Sequence, residues 1–462
     1  MVWLVLLGAV QAWAQDEVPN GQVIRKIVTS SSPDQQYSLY LPSSYSVDRR
    51  WPLLIVMDPR GKAPMALNLF VEEAEARGYV VMSSYQSRSD TAWSVTTEAL
   101  QALLQESEKR YAVDHSRVYL AGFSGTSKAA WAYANALKGT VAGVFGVAGA
   151  RPHLIEVDDQ EVEFDYFGVT GTTDFNHREM VELSEYLEQI GAPHRLEIFE
   201  GGHRWPPPEI SNLALDWFDL QAMRDKRIPT ENRFVDDHLK WAIDRFEAAD
   251  EPLERRRRCF EIVRDFSGLR DVDAYEKQCQ ALGKDPSVKQ ALAKQKKLFN
   301  QETIYVHKRL APWLETVRRT DRSPPSVSRS LIELQIEPLK KKAEQLEDPE
   351  TAHHAQRLLD DVYANVSFYL PQEFRQGGDY DRALLALRIA VEVAPEKRRA
   401  HWALAEIYAQ TGQTGSAIEA LTKAIAMGRV DIERLKTDPA WESLRFLPTW
   451  QALIDQADSA SH

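Results

Sequence analysis

A serine hydroxyl becomes a strong nucleophile only beside a base that is itself oriented by an acid. The segment Val118-Tyr119-Leu120-Ala121-Gly122-Phe123-Ser124-Gly125-Thr126, followed by an Ala-rich stretch, offers such a hydroxyl. A buried strand, Gly-x-Ser-x-small and a helix together describe a nucleophile elbow. The turn is so tight that Gly122 and the residue at 126 must be small. Ser124 is then raised at the carboxyl edge of a sheet, above a helix N-terminus. Thr126 stands where a second Gly is usual, and its branched side chain tightens the turn further. The competing reading is a Gly-rich turn whose serine merely caps the helix.

The downstream histidines of the same segment are His153, His177, His194 and His203. His194 begins a strand and His177 lies at a helix start, so both are poorly placed. His203 lies in Phe199-Glu200-Gly201-Gly202-His203-Arg204-Trp205-Pro206, a loop leaving the last strand. That puts it on the rim of Ser124 and makes it the expected base. Asp174 ends the stretch Phe167–Thr173 and precedes a helix, one crossover before His203. It is the expected acid, with a helix N-cap as its alternative role. Asp158, Asp159 and Asp165 precede that strand, on the wrong edge. The chain order Ser, acid, His is thereby complete.

An oxyanion needs two backbone donors. Gly125 N–H, directly after the nucleophile, is one. The other is expected from Asp58-Pro59-Arg60-Gly61-Lys62; Pro59 has no N–H, so Arg60 or Gly61 must supply it, with Arg60 preferred. Tyr85, Arg88 and Trp93 follow one strand, and Trp205 follows the base. They are the candidate substrate contacts, or else local packing. This chemistry calls for no metal or organic cofactor.

Such a site needs a sheet whose strands all deliver loops to one edge. From about residue 20 to 225 the pattern alternates strands with helices of 10 to 15 residues, which means parallel crossovers and a doubly wound, mostly parallel sheet. Strands are expected at Tyr37–Leu41, Pro52–Met57, Val80–Met82, Val118–Ala121, Val141–Val147, Tyr166–Val169 and Leu196–Phe199. Helices are expected at Met65–Arg77, Thr96–Tyr111, Ser127–Leu137, Arg178–Ile190 and Ile210–Met223. Between Val147 and Tyr166 there is room for a loop but not for a large lid, which disfavours a lipase acting at an oil interface. After residue 225 strand patterns vanish and charged helices run almost to the end. Arg255 to Arg258 is a basic run among Glu251, Glu254 and Glu261, read as a solvated helix face.

An offset of 34 aligns Gly378, Ala383, Leu387 and Ala390 with Gly412, Ala417, Leu421 and Ala424. Phe374 matches Tyr408, and Leu370 matches Leu404. Glycine at the turn and alanine at the crossing let paired helices approach closely. The expected organisation is a signal peptide at 1–14, an α/β domain at 15–225, a helical domain at 226–365, and repeats with a capping helix at 366–462.

Residues 20–225 resemble the α/β-hydrolase superfamily. They are most similar to secreted esterases of the polyhydroxyalkanoate-depolymerase, feruloyl-esterase and dienelactone-hydrolase types. The resemblance rests on Gly122-Phe123-Ser124-Gly125-Thr126, Asp174 and Gly201-Gly202-His203, in that order. It implies a Ser–His–Asp mechanism and carboxylic-ester substrates. Residues 366–428 resemble tetratricopeptide repeats, which implies protein or peptide contacts. The rival reading is a non-catalytic, hydrolase-like binding scaffold, motivated by Thr126; a serine peptidase is the lesser enzymatic option.

Met1–Ala14 is a short apolar run ending Ala12-Trp13-Ala14, the form of an export signal, so the expected location is periplasmic or secreted. Cys259 and Cys279 each lie ten residues from Leu269. An antiparallel helical hairpin would set them opposite each other, as a staple or as two unpaired core thiols. Lys plus Arg number 56 against 68 Asp plus Glu, a formal charge of −12, which argues against a nucleic-acid partner. No later stretch reaches the ~18 apolar residues of a membrane span.

Overall fold

The structure is a computed structural model that describes residues 18–152, 162–321, 323–345, 347–428 and 431–459. The expected signal peptide lies outside the described residues. The chain divides between Ala293 and Lys294 into two compact units. Among the described residues no helix is long and apolar enough to cross a membrane.

The first unit is built on one eight-stranded sheet. Its strands are β1 (Val23–Val28), β2 (Gln36–Tyr40), β3 (Trp51–Met57), β4 (Val80–Ser84), β5 (Val113–Phe123), β6 (Gly143–Val147), β7 (Asp165–Gly171) and β8 (His194–Phe199). Their spatial order is β1-β2-β4-β3-β5-β6-β7-β8. Strands β1, β2 and β4 pair antiparallel, and every pair from β4 to β8 is parallel. All seven residues of β3 are buried, as a continuous apolar run requires under helices on both faces. The register sets Met57 beside Gly122, Gly122 beside Gly146, Val147 beside Val169 and Gly171 beside Phe199. The carboxyl ends of β3, β5, β6, β7 and β8 therefore finish level, and their loops leave side by side.

Among the described residues five helices lie between these strands, α1 (Ala63–Asn68), α2 (Val71–Arg77), α3 (Trp93–Arg110), α4 (Gly125–Ala136) and α5 (His177–Ile190), and α6 (Pro208–Arg224) follows the last strand. The helix expected over Met65–Arg77 is two helices, because Phe70 leaves helical geometry (φ −118°, ψ −6°) and packs edge-on against Phe145 at 5.4 Å. Burial of a large ring outweighs continuity of the helix. Strand β1 had no counterpart in the expected strands. It is an edge strand without regular alternation of buried and exposed residues, so period two is missing.

Three further helices belong to the first unit: α7 (Asn232–Ala248), α8 (Pro252–Phe266) and α9 (Asp273–Leu282). Their core includes Leu220 and Met223 of α6 together with Val235, Phe246, Ile262 and Phe266. The expected break after residue 225 is thus not where the packing divides, since α6 supplies part of the apolar surface that α7–α9 bury. Cys259 and Cys279 are disulfide-bonded between α8 and α9, with Cα atoms 5.6 Å apart.

The solvated reading of Arg255–Arg258 is corrected. Arg258 is only 3% exposed and bonds Glu197 of β8 at 2.8 Å and Glu261 at 2.9 Å. Arg195 of β8 in turn bonds Glu197, Glu261 and Asp265. Burial alone would push Glu197 up, but Arg195 and Arg258 hold it well below the usual carboxylate range. Glu261 was in view three residues away, but Glu197 lies 61 residues earlier in sequence, where local charge patterning had no access to it.

The second unit is helical. Within it, Leu370–Gln376, Tyr380–Val393, Arg398–Gln410 and Thr414–Ala426 form the repeated helix pairs. Gly378 and Gly412 share φ 74°, the left-handed turn between paired helices. Ala383, Leu387, Ala390 and their equivalents Ala417, Leu421 and Ala424 are all 0% exposed, at the crossings where small side chains were expected.

Candidate active site

Strand β5 ends in a sharp turn into α4, with Ser124 at φ 58° and ψ −124°. A non-glycine residue there is strained, at a cost of ~1–3 kcal/mol. The turn is held because Ser124 N–H donates to Val147 O at 2.8 Å, while Ser127 N–H donates to Ser124 O at 3.0 Å. A Cβ on Gly122 would run into the Thr126 carbonyl, and one on Gly149 into that of Ser124. Thr126 is accommodated through its hydroxyl. It donates to Met57 O at 2.6 Å or Phe123 O at 2.9 Å, and accepts from Phe123 N–H at 3.1 Å. The branched side chain thus fastens the elbow to the end of β3.

Ser124 makes no side-chain cap bond to α4. Its Oγ lies 3.0 Å from His203 Nε2. His203 Nδ1 lies 3.0 and 3.1 Å from the two carboxylate oxygens of Asp174. An ionised carboxylate only accepts, so Nδ1 carries the proton and Nε2 presents its lone pair to the serine hydroxyl. Asp174 is fully buried, and its Oδ1 also accepts from Asn176 N–H at 2.8 Å. The residue at the N-cap of α5 is Asn176, so Asp174 faces the imidazole instead of capping.

The other described histidines and Asp165 use their side chains elsewhere, although His177 N–H donates to Asp174 O at 2.8 Å. His177 Nδ1 bonds Gly171 O, and His194 lies between Ala192 O and Arg264 Nη1. Burial and the Arg264 charge hold His194 well below its ordinary pKa. Asp165 pairs with Arg227 at 2.6 Å at the opposite edge of the sheet. His153, Asp158 and Asp159 lie outside the described residues.

For an oxyanion, Gly125 N–H has no acceptor among the described residues. The lack of a side chain there is required, because a Cβ would stand 2.6 Å from that of Ser89. The expectation for Arg60 is corrected. Its N–H donates to Asp58 Oδ1 at 2.8 Å, and Gly61 N–H donates to Asp58 O at 3.0 Å. The Asp-Pro turn uses both of these donors internally.

Of the four candidate substrate contacts, one packs beside a ring that touches His203. Trp205 lies 5.6 Å from the Phe123 ring, centroid to centroid, and its Nε1 donates to Asp58 Oδ2 at 2.9 Å. Tyr85 OH donates to Arg25 O, and Arg88 Nη1 to Tyr85 O and Ser87 O. Trp93 is half exposed and packs edge-on against Tyr133. No described contact links these three to Ser124, Asp174 or His203. Two unexpected residues do meet the base: Phe175 stacks on the His203 ring at 4.2 Å, and Phe123 packs on it at 4.7 Å. Both are sequence neighbours of a triad member, the one available signal.

The order and direction of the strands and the sharp turn after β5 give this region the α/β-hydrolase fold that the sequence resemblance implied. A tetratricopeptide-repeat family model matches residues 372–431. No curated protein matches the chain. Among solved structures, a ferulic acid esterase is similar at 15% identity and a TM-score of 0.33, over 42% of this chain and 94% of that one. An S-formylglutathione hydrolase from Staphylococcus aureus is similar at 13% identity and 0.37, over 44% and 98%. Est1E from Butyrivibrio proteoclasticus is similar at 12% identity and 0.36, over 43% and 99%.

Proposed function

We propose that the protein is a serine hydrolase of carboxylic esters that works through an acyl-enzyme. The observation that carries this reading is the unbroken chain from Ser124 Oγ through His203 to the buried Asp174. Ser124 attacks the ester carbonyl while His203 Nε2 takes its proton, and Asp174 holds the tautomer and the developing imidazolium. Gly125 N–H receives the oxyanion; Arg60 N–H, engaged by Asp58, is not counted with it. His203 then protonates the leaving alcohol, and water releases the acid by the reverse sequence. Thr126, the one motive for a non-catalytic scaffold, is explained by its own hydrogen bonds.

The repeats act in recruiting a protein partner or a polymer-attached substrate. Export to an oxidising compartment suits the Cys259–Cys279 bridge. The purified protein is expected to release p-nitrophenol from the acetate ester and to take a fluorophosphonate probe at Ser124. Ser124→Ala should remove both, with turnover falling by a factor on the order of 10⁶. A folded wild-type protein that neither turns over nor accepts the probe would sink the proposal.

A further inference from the structure

Asp58 lies on the same rim, yet the chemistry above gives it no part. It follows β3 directly and is 2% exposed. Three N–H groups converge on its carboxylate: Arg60 N at 2.8 Å and Lys62 N at 3.1 Å on Oδ1, and Trp205 Nε1 at 2.9 Å on Oδ2. Its backbone carbonyl accepts from the Ser87 hydroxyl at 2.8 Å and from Gly61 N–H at 3.0 Å. One residue therefore ties together the loops that follow β3, β4 and β8.

The tie to the β8 loop reaches the base. Trp205 stands two residues after His203, and its ring packs on Phe123, which packs on the imidazole. The turn carrying His203 begins with Gly201 at φ 150° and Gly202. Two glycines leave such a turn pliable unless something anchors its far end. We infer that Asp58 is a positioning residue for the His203 base, acting through the Trp205 indole; this rests on the serine-hydrolase reading above. A carboxylate suits the place because it only accepts, whereas an amide in the same pose would turn its NH2 toward the indole N–H.

The test uses the full chain. Trp205→Phe removes the indole N–H together with the five-membered ring that carries it, and keeps one six-membered aromatic ring at the position. It is expected to lower kcat on p-nitrophenyl acetate by about ten- to a hundredfold, since small misplacements of catalytic groups cost that much. KM should stay within about twofold, and the acid limb of kcat/KM should move. Asp58→Asn should lose more, and the double variant D58N/W205F should recover part of that loss because the opposed donor is gone. Wild-type kcat and pH profile in W205F would overturn the assignment. So would a raised KM at constant kcat, which marks Trp205 as a substrate contact.

If D58N does not fold, W205F alone decides, because it leaves the Arg60 and Lys62 bonds in place. A readout independent of turnover is the His203 Nδ1–H proton by NMR. Its exchange with water should quicken in W205F, and unchanged exchange overturns the inference even in a protein without esterase activity. Failure of the hydrolase reading is seen separately, as a wild-type Ser124 that takes no fluorophosphonate.

Discussion

Thr126 Oγ1 bridges Met57 and Phe123 across the elbow, and both partners belong to strands that finish at the rim. Thr126→Val keeps the shape but leaves a buried carbonyl and N–H without partners, so stability should fall by about 1–3 kcal/mol. Thr126→Ser should restore most of it; denaturant midpoints of the two variants check the contrast. Ser124, Asp174 and His203 were legible in the sequence because each follows a strand, and strand ends of a parallel sheet share one edge. Arg60 misled for a local reason: Asp58 bends its own turn back onto the N–H groups two and four residues ahead. The Trp205 indole finds its hydrogen-bond partner 147 positions earlier, which no local pattern marks. Phe175 was passed over because an aromatic beside an acid has no meaning until the imidazole is placed against it.

Elements α2, α6 and α7 meet in a small titrating group. Burial, reinforced by the nearby Asp216 charge, lifts the Glu73 carboxyl from its ordinary 4.5 to about 7. His238 would be lowered by burial, but its bond to Asp216 at 3.2 Å raises it instead. A carboxyl raised in the folded state binds its proton more tightly there than in the unfolded chain. Its contribution to stability is therefore lost as pH rises from about 4.5 through about 7. The raised His238 adds stability that is full below its unfolded value near 6.5 and fades as pH passes its folded value. Both effects loosen this junction between pH 5 and 8. Glu73→Gln should raise Tm by about 2–4 °C at pH 8 and leave it nearly unchanged at pH 4.5, as read by calorimetry. An equal shift at both values would show that the charge is not responsible. The sequence placed a helix at Ile210–Met223 and charged helical segments after residue 225, but not the meeting of carboxylates from separate helices.

At the scale of the whole molecule, the eight-stranded sheet and α7–α9 behave as one compact unit through Ala293. A fragment of residues 18–293 should fold cooperatively. Ending it at residue 225 removes Arg258, Arg245, Glu261 and Asp265, leaving Arg195 and Glu197 of β8 only each other among these partners and baring Leu220 and Met223 of α6. Bared apolar surface and a broken ion-pair network should make the shorter fragment aggregate or yield to limited proteolysis. Equal protease resistance of the two fragments would show the helices to be dispensable. The sequence by itself determined the sheet, the three side chains of Ser124, Asp174 and His203 that meet at its edge, and the two-unit helical repeat. Those features are written in period, in turn residues and in chain order, all of them local or sequential. Only the tertiary structure decided which donors remain free, which aromatics clasp the imidazole and where the first unit stops. Such choices depend on hydrogen bonds and ion pairs between residues dozens to hundreds of positions apart, and no pattern along one chain encodes their geometry.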